Sequence, residues 1–103
     1  MATNREKRLS PIHPGEILQD VLTEAGLTAN ALALALRVPA NRIGSIIKGQ
    51  RGITGDTALR LGRYFGTSPQ FWINLQARYD LESTMDRLAA RIDREVRPRE
   101  RAA

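Results

Sequence analysis

Apolar residues recur along this chain at the three- and four-residue intervals of amphipathic helices, in segments that glycine, proline and short polar turns separate. The first segment has an apolar stripe from Ile17 to Leu22 and lies between Pro14 and Gly26. Because proline favours the first turn of a helix and glycine the position after its end, this segment predicts a helix. His13, which precedes it, is interpreted as a structural residue.

A pair of short helices with a tight turn between them is predicted from Ala29 to Lys48. Thr28 is a suitable N-cap for the first helix, and Pro39 fixes the start of the second. Small or branched apolar side chains occupy the inward positions, as two closely crossing helices require. These residues are Leu32, Ala33, Leu36, Val38, Ile43, Ile46 and Ile47. The pattern is that of a helix-turn-helix.

Two more helices are predicted after the loop that follows Lys48. Thr54 caps the first, which stops at Gly66, and Ser68 with Pro69 opens the second. Apolar and aromatic residues at helical spacing in both helices are assigned to the core. They are Ala58, Leu59, Leu61 and Phe65 in the first helix, and Phe71, Trp72, Leu75 and Tyr79 in the second.

A last apolar stripe recurs at nearly the spacing of a heptad seam. Its residues are Leu81, Met85, Leu88, Ile92 and Val96. On an unbroken helix Leu81 lies about 80° around from Phe71, so the two stripes do not share a face. Either the chain bends near Asp80, with Ser83 and Asp86 as a capping pair for a sixth helix, or the later stripe meets a different partner. Because an exposed apolar strip must be covered, we expect it to pack on its own domain, on a second copy of the chain or on another protein, and we favour the second copy.

The expected fold class is all-α, a five-helix DNA-binding domain with an additional or extended C-terminal helix. The 103 residues support one small domain. Residues 1–12 are expected to be a flexible basic arm, 13–80 the helix-turn-helix domain, 81–97 an amphipathic C-terminal helix or extension, and 98–103 a frayed tail. Without a membrane-spanning run or a signal peptide in the sequence, we expect a cytoplasmic protein that does not contact a membrane.

The charge distribution supports DNA as a partner. The chain carries a formal net charge of +5. Residues 37–63, which hold the second helix of the pair and the helix after it, carry all of this excess, whereas residues 14–36 are acidic. Cations clustered beside a helix of this size suit the neutralisation of DNA phosphates, which supplies most non-specific affinity for a duplex.

The second helix of the pair is the predicted recognition helix. Ala40, Asn41 and Ser45 occupy its N-terminus and next turn, from which side chains reach base edges. The Asn41 amide suits adenine, and the Ala40 methyl group suits thymine. Phosphate contacts are assigned to residues beside these positions, at the recognition helix, its loop and the start of the preceding helix. They are Arg42, Lys48, Gln50, Arg51, Thr28 and Asn30. For Arg42 a guanine is the alternative, and the phosphate is favoured because Arg42 lies towards the edge of the helix.

Catalysis, metals and cofactors find no support in the sequence. There is no cysteine, one histidine and no glycine-rich phosphate loop. The carboxylates are scattered beside lysine or arginine and, like Arg60 and Arg63, are interpreted as solvated charges. We therefore expect no enzyme, no metal site and no cofactor.

Five blocks in order resemble HigA-type antitoxins of the Cro/repressor-like (XRE) helix-turn-helix family, over about Ile12 to Glu82. The blocks are His-Pro-Gly-Glu-Ile-Leu at His13, Asn-Ala-Leu-Ala at Asn30, Val-Pro-Ala-Asn-Arg-Ile at Val38, Gly-Ile-Thr-Gly-Asp-Thr-Ala-Leu-Arg-Leu at Gly52 and Phe-Gly-Thr-Ser-Pro-Gln-Phe-Trp-Ile-Asn-Leu-Gln at Phe65. The resemblance implies the Cro/repressor-like five-helix fold and a homodimer that binds a palindromic operator upstream of its own genes. It also implies neutralisation of a HigB-type toxin that cleaves mRNA.

Two residues depart from the pattern of the family. Ala29 stands where the family often has glutamine, so Asn30 is expected to replace a phosphate contact. Arg37 stands in the turn where many helix-turn-helix proteins have glycine, which predicts a turn that is either slightly strained or differently shaped.

Three functions are therefore compatible with the sequence: a DNA-binding repressor that is also an antitoxin, a stand-alone transcriptional regulator, and a protein-interaction module without operator binding. A toxin gene beside the coding sequence favours the first, and a lone gene favours the second. Absent or salt-independent DNA binding would leave the third.

Overall fold

Five α-helices account for the regular structure of residues 10–100, the part of the chain that the computed structural model describes. They are α1 (Pro14–Ala25), α2 (Ala29–Leu36), α3 (Ala40–Ile47), α4 (Gly55–Phe65) and α5 (Pro69–Glu95). The described residues contain no strand, and none of their helices is apolar over a length that would cross a membrane. The expected all-α class with an extended C-terminal helix is confirmed. The basic arm lies outside the described residues up to position 9, as does the tail from position 101.

Side-chain caps begin four of the helices. Thr28 Oγ1 accepts a hydrogen bond from the amide of Ala31 at 3.0 Å, and Thr54 and Ser68 cap α4 and α5 in the same way. The caps predicted at Thr28, Thr54 and Ser68 are therefore confirmed. Helix α3 follows Pro39 and has no side-chain cap. The start of α3 is therefore held by packing and not by a capping hydrogen bond.

The ends of α1 to α4 share one geometry, in which a residue in the left-handed region lets the next amide reach back five residues. Glycine supplies this residue at Gly26, Gly49 and Gly66, with φ between 70° and 75°. At the end of α2 the residue is Arg37, with φ of 60°, the one non-glycine residue with positive φ in the described chain. The strained turn that the sequence predicted is confirmed.

The core joins side chains from all five helices and the loop before α4. Its buried apolar residues are Leu18, Leu22, Leu32, Ala33, Leu36, Ile43, Ile46, Ile53, Ala58, Leu61 and Trp72. Ala33 is completely buried where α2 packs on α3. At the other end of α3, Gly15 of α1 lies so close to the Ile46 carbonyl oxygen that a Cβ atom would overlap it. Small residues therefore let α1 and α2 enclose the inner side of α3.

Two residues assigned to the core lie mainly at the surface. Leu59 is 63% exposed, because Ala58 and Leu61 take the inward positions of α4 and turn Leu59 outward. It borders an open groove of about 590 Å³ with Tyr64. Phe71 is 45% exposed, because its neighbour Trp72 takes the inward position and leaves Phe71 edge-on against the indole.

Helix α5 continues without a break through Asp80, so the alternative of a bend followed by a sixth helix is wrong. The Ser83 hydroxyl donates to the Asp80 carbonyl at 3.3 Å within the helix, and it therefore does not cap a new one. The stripe from Leu81 to Val96 accordingly stays rotated away from the core contacts of Trp72. The helix ends at Glu95.

His13 caps α1 through its imidazole. Nδ1 accepts a hydrogen bond from the Gly15 amide at 2.9 Å, and the ring packs edge-on against Tyr79 of α5 at 4.8 Å between centroids. Burial lowers the pKa of His13, an effect that nearby Glu16 and Asp80 oppose. The structural role expected for His13 is confirmed.

Replacing Arg37 by glycine is expected to raise the free energy of unfolding by about 0.5–1 kcal/mol, because glycine adopts the left-handed conformation without the Cβ clash. Urea titration measures the change. Gly66→Ala is the matched control: it places a Cβ in open space at the same geometry and should lower stability by about 1 kcal/mol. An unchanged or lower stability of Arg37→Gly would show that the arginine makes compensating interactions.

The unsubstituted chain is expected to lose folding stability as the pH falls through the ordinary pKa of histidine, about 6.5, whereas His13→Asn should not show this loss. The folded state prefers neutral His13, so its contribution is present above that pKa and is lost as the pH falls below it. Asparagine keeps a capping oxygen and does not titrate. Urea midpoints of both proteins between about pH 8 and pH 5 measure the difference; parallel curves would contradict the assignment.

Candidate nucleic-acid interface

Helix α3 presents an apolar side to the core and a polar side outward. Ile43 and Ile46 are completely buried. Asn41 and Ser45 each lie about 160° around the helix from Ile43, and Lys48 about 140°. Asn41 and Lys48 are exposed, and Ser45 is partly exposed. An amide, a hydroxyl and an ammonium group therefore share the outward face of α3, and a major groove is wide enough to admit an α-helix.

Ala40 and Arg42 lie beside this face. Ala40 is exposed at the start of α3. Arg42 lies on the flank of the helix, and its Nη1 donates to Asp56 Oδ2 of α4 at 2.7 Å, leaving the side chain 25% exposed. Among residues 10–100, Arg42 is therefore held by a side-chain partner, whereas the side chains of Asn41 and Lys48 have none.

Asp56 connects α3 to two other helices. Arg60 Nε lies 3.1 Å from both carboxylate oxygens of Asp56, and Arg60 Nη1 donates to the Leu36 carbonyl at the end of α2 at 2.8 Å. Hydrogen bonds from Arg60 and then Arg42 lower the pKa of Asp56. The interpretation of Arg60 as solvated is therefore wrong, because Arg60 binds an otherwise unpaired carbonyl at a helix end.

The loop after α3 is fastened to α5. Gln76 Oε1 accepts a hydrogen bond from the Ile53 amide at 2.7 Å, while Gln76 Nε2 donates to Asp80 at 2.9 Å. Ile53 itself is buried in the core. The exposed Gln50 and Arg51 therefore project from a loop with an anchored end, which limits the positions they can take beside a ligand.

The start of α2 offers a second group of donors. Thr28 and Asn30 are exposed. Because Thr28 Oγ1 already accepts the capping hydrogen bond from Ala31, its hydroxyl hydrogen is the part left for a phosphate oxygen. The first amides of a helix lack acceptors within the helix and suit an anion.

The sequence analysis did not predict the residues that hold the elements of the candidate interface in place. These residues are Asp56, Arg60, Gln76 and the cap residue His13. A signal existed for the first two, because aspartate four residues before arginine is a favourable helical pair. Gln76 carries no such signal: its contact with Ile53 joins positions 23 residues apart in sequence.

The apolar stripe on α5 forms a second candidate surface. Leu81, Met85, Ile92 and Val96 are each at least 45% exposed, and Leu88 is partly exposed. Ion pairs join Arg78 to Glu82 and Arg91 to Glu95 along the same helix. The stripe lies outside the core of the described residues.

Known proteins share the helix-turn-helix fold of this chain. The pattern of the helix-turn-helix family matches residues 18–72. Virulence-associated protein I of Dichelobacter nodosus is 54% identical over 78 residues, which cover 75% of this chain and 72% of that protein. The structure of the Pseudomonas aeruginosa antitoxin HigA with the higBA promoter is 49% identical and superposes with a TM-score of 0.83, over 85% of this chain and 97% of that one.

A further solved structure, of antitoxin GraA in complex with its operator, is 38% identical with a TM-score of 0.84, over 88% of this chain and 93% of that one. The shared fold is thus that of helix-turn-helix proteins, and the chain belongs to this family and, within it, to the HigA-type antitoxins.

Proposed function

We propose that this chain is a sequence-specific DNA-binding antitoxin, which represses the operon that encodes it and neutralises a HigB-type mRNA-cleaving toxin. The observation that carries the DNA-binding part is the outward face of α3, with Asn41, Ser45 and Lys48 projecting from a helix whose opposite side is completely buried. The similar HigA and GraA structures hold promoter or operator DNA. The proposal assigns no catalytic step to the chain.

Base reading and phosphate binding are divided between different elements. Ala40, Asn41 and Ser45 of α3 read base edges, with the Asn41 amide as the most selective group. Phosphate contacts come from Arg42 and from side chains that surround α3. The latter are Lys48, Gln50, Arg51, Thr28 and Asn30. They fix the register of α3 without carrying sequence information.

A homodimer follows from the exposed stripe on α5, which a second copy covers with identical residues. These residues are Leu81, Met85, Leu88, Ile92 and Val96. A two-fold dimer places two recognition helices about 34 Å apart, on successive turns of one face of the duplex. The matching operator is a palindrome.

The antitoxin part of the proposal is supported by the HigA-type relatives. It requires a toxin that forms a complex with this chain, encoded beside it. A neighbouring toxin gene whose product co-purifies with the chain supports it. Absence of both, with DNA binding intact, would favour the stand-alone regulator.

Titration of DNA from upstream of the chain's own gene is expected to show binding that weakens steeply with salt. Asn41→Ala should lose about 1–3 kcal/mol of discrimination against altered operators, because the amide contact to a base disappears. Lys48→Ala should weaken binding to all sequences alike and reduce the log–log salt slope by about 0.9. Salt-independent binding, or equal effects of the two substitutions on base preference, would contradict the assignment.

Replacing Ile92 by glutamate is expected to convert the dimer to a monomer, because a charge would enter the apolar seam. Sedimentation equilibrium measures the change. Ala90→Glu is the matched control: it is exposed on the same helix about 160° from Ile92 and should leave the dimer intact. A dimer that survives Ile92→Glu would place the contact between copies elsewhere.

A further inference from the structure

Asp56 carries a negative charge in the basic part of the chain that is proposed to approach DNA. It is the one acidic residue between Glu24 and Asp80 in the sequence. Its side chain is 52% exposed beside α3, so a DNA backbone at α3 would meet its negative charge. On electrostatic grounds alone, a carboxylate here weakens binding to DNA.

The contacts of Asp56 give a reason for its presence. The carboxylate holds Arg42 through a single N–H group, Nη1, at 2.7 Å. A guanidinium group has five N–H donors in a rigid plane, and the others on Arg42 have no acceptor within the described residues. Fixing one donor therefore orients the whole fork while leaving donors for a ligand.

The carboxylate is itself fixed. Arg60 contacts both of its oxygens and also binds the Leu36 carbonyl at the end of α2. The orientation of Arg42 therefore depends on α4, which carries Asp56 and Arg60, and through Arg60 on α2, which packs against α4. A flexible arginine loses conformational freedom when it binds a phosphate, and a held one has already lost part of it.

We propose that Asp56 is a positioning residue for DNA binding, which holds the Arg42 guanidinium in the orientation that contacts a DNA phosphate. This inference rests on the proposed function and deepens it. It predicts that removing a negative charge at this one position weakens binding to a polyanion, the reverse of the electrostatic expectation.

The test measures affinity for upstream DNA over a series of salt concentrations, for the full chain and for Asp56→Asn, which keeps the shape of the side chain. We expect Asp56→Asn to bind about five-fold more weakly than the unsubstituted chain. Its log–log salt slope should be smaller by about 0.9, the value for one phosphate contact. Asp20→Asn is the matched control, because Asp20 is exposed on α1 and has no ion pair in the described residues. It should leave binding unchanged or slightly tighter.

The same substitution in an Arg42→Ala background separates positioning from a general effect on folding. There Asp56 has no phosphate-binding group to orient, so Asp56→Asn should strengthen binding slightly. Equal weakening in both backgrounds, or binding by Asp56→Asn as tight as that of Asp20→Asn, would overturn the proposal. Failure of the unsubstituted chain to bind DNA would instead overturn the proposed function.

Discussion

Complete burial of Ile43 and Ile46 fixes which side of α3 faces outward, and the rest of the candidate interface depends on this constraint. Rotation of α3 about its axis would expose these side chains and bring Asn41 or Lys48 towards the core. Exposure of one such apolar side chain costs about 1.5–3 kcal/mol, and burial of an unpaired polar group costs more. Packing therefore sets the rotation of α3 more firmly than any hydrogen bond that it makes.

Polar contacts position the groups that packing leaves free to move. Burial fixes the rotation of a helix, but it does not orient the end of a long surface side chain or the path of a loop. Asp56 orients Arg42, and Gln76 holds the backbone at Ile53. The Gln76 contact is partly buried, where water is partly excluded and a hydrogen bond is worth more than on an open surface, whereas the Asp56 contact is exposed.

The sequence predicts those features of the fold that depend on local chemistry. Caps at Thr28, Thr54 and Ser68 follow from residues within one turn of the helix they begin, and the inward side of α3 follows from periodicity. Periodicity is less decisive where two apolar residues adjoin. It assigned both Leu59 and Phe71 to the core, although Ala58 and Trp72 beside them take the inward positions.

For the candidate site, the sequence located the helix but not the residues that position its side chains. Arg60 reaches the Leu36 carbonyl across 24 residues, and such a contact exists only once α2 and α4 are packed together. The unbroken course of α5 was likewise one of two alternatives, because a rotated apolar stripe has the same sequence pattern on a straight or a bent helix. The individual base and phosphate contacts stay predictions.

The continuity of α5 has a mechanical consequence. Its 27 residues form a rod about 40 Å long. Gln76, which anchors the loop after α3, lies near one end of this rod, and the exposed apolar stripe lies towards the other. A rod without a hinge converts a small rotation into a displacement: a tilt of about 5° moves the far end by roughly 3.5 Å, more than the tolerance of a hydrogen bond. Helix α5 therefore links the apolar stripe rigidly to Gln76, which holds the loop after α3.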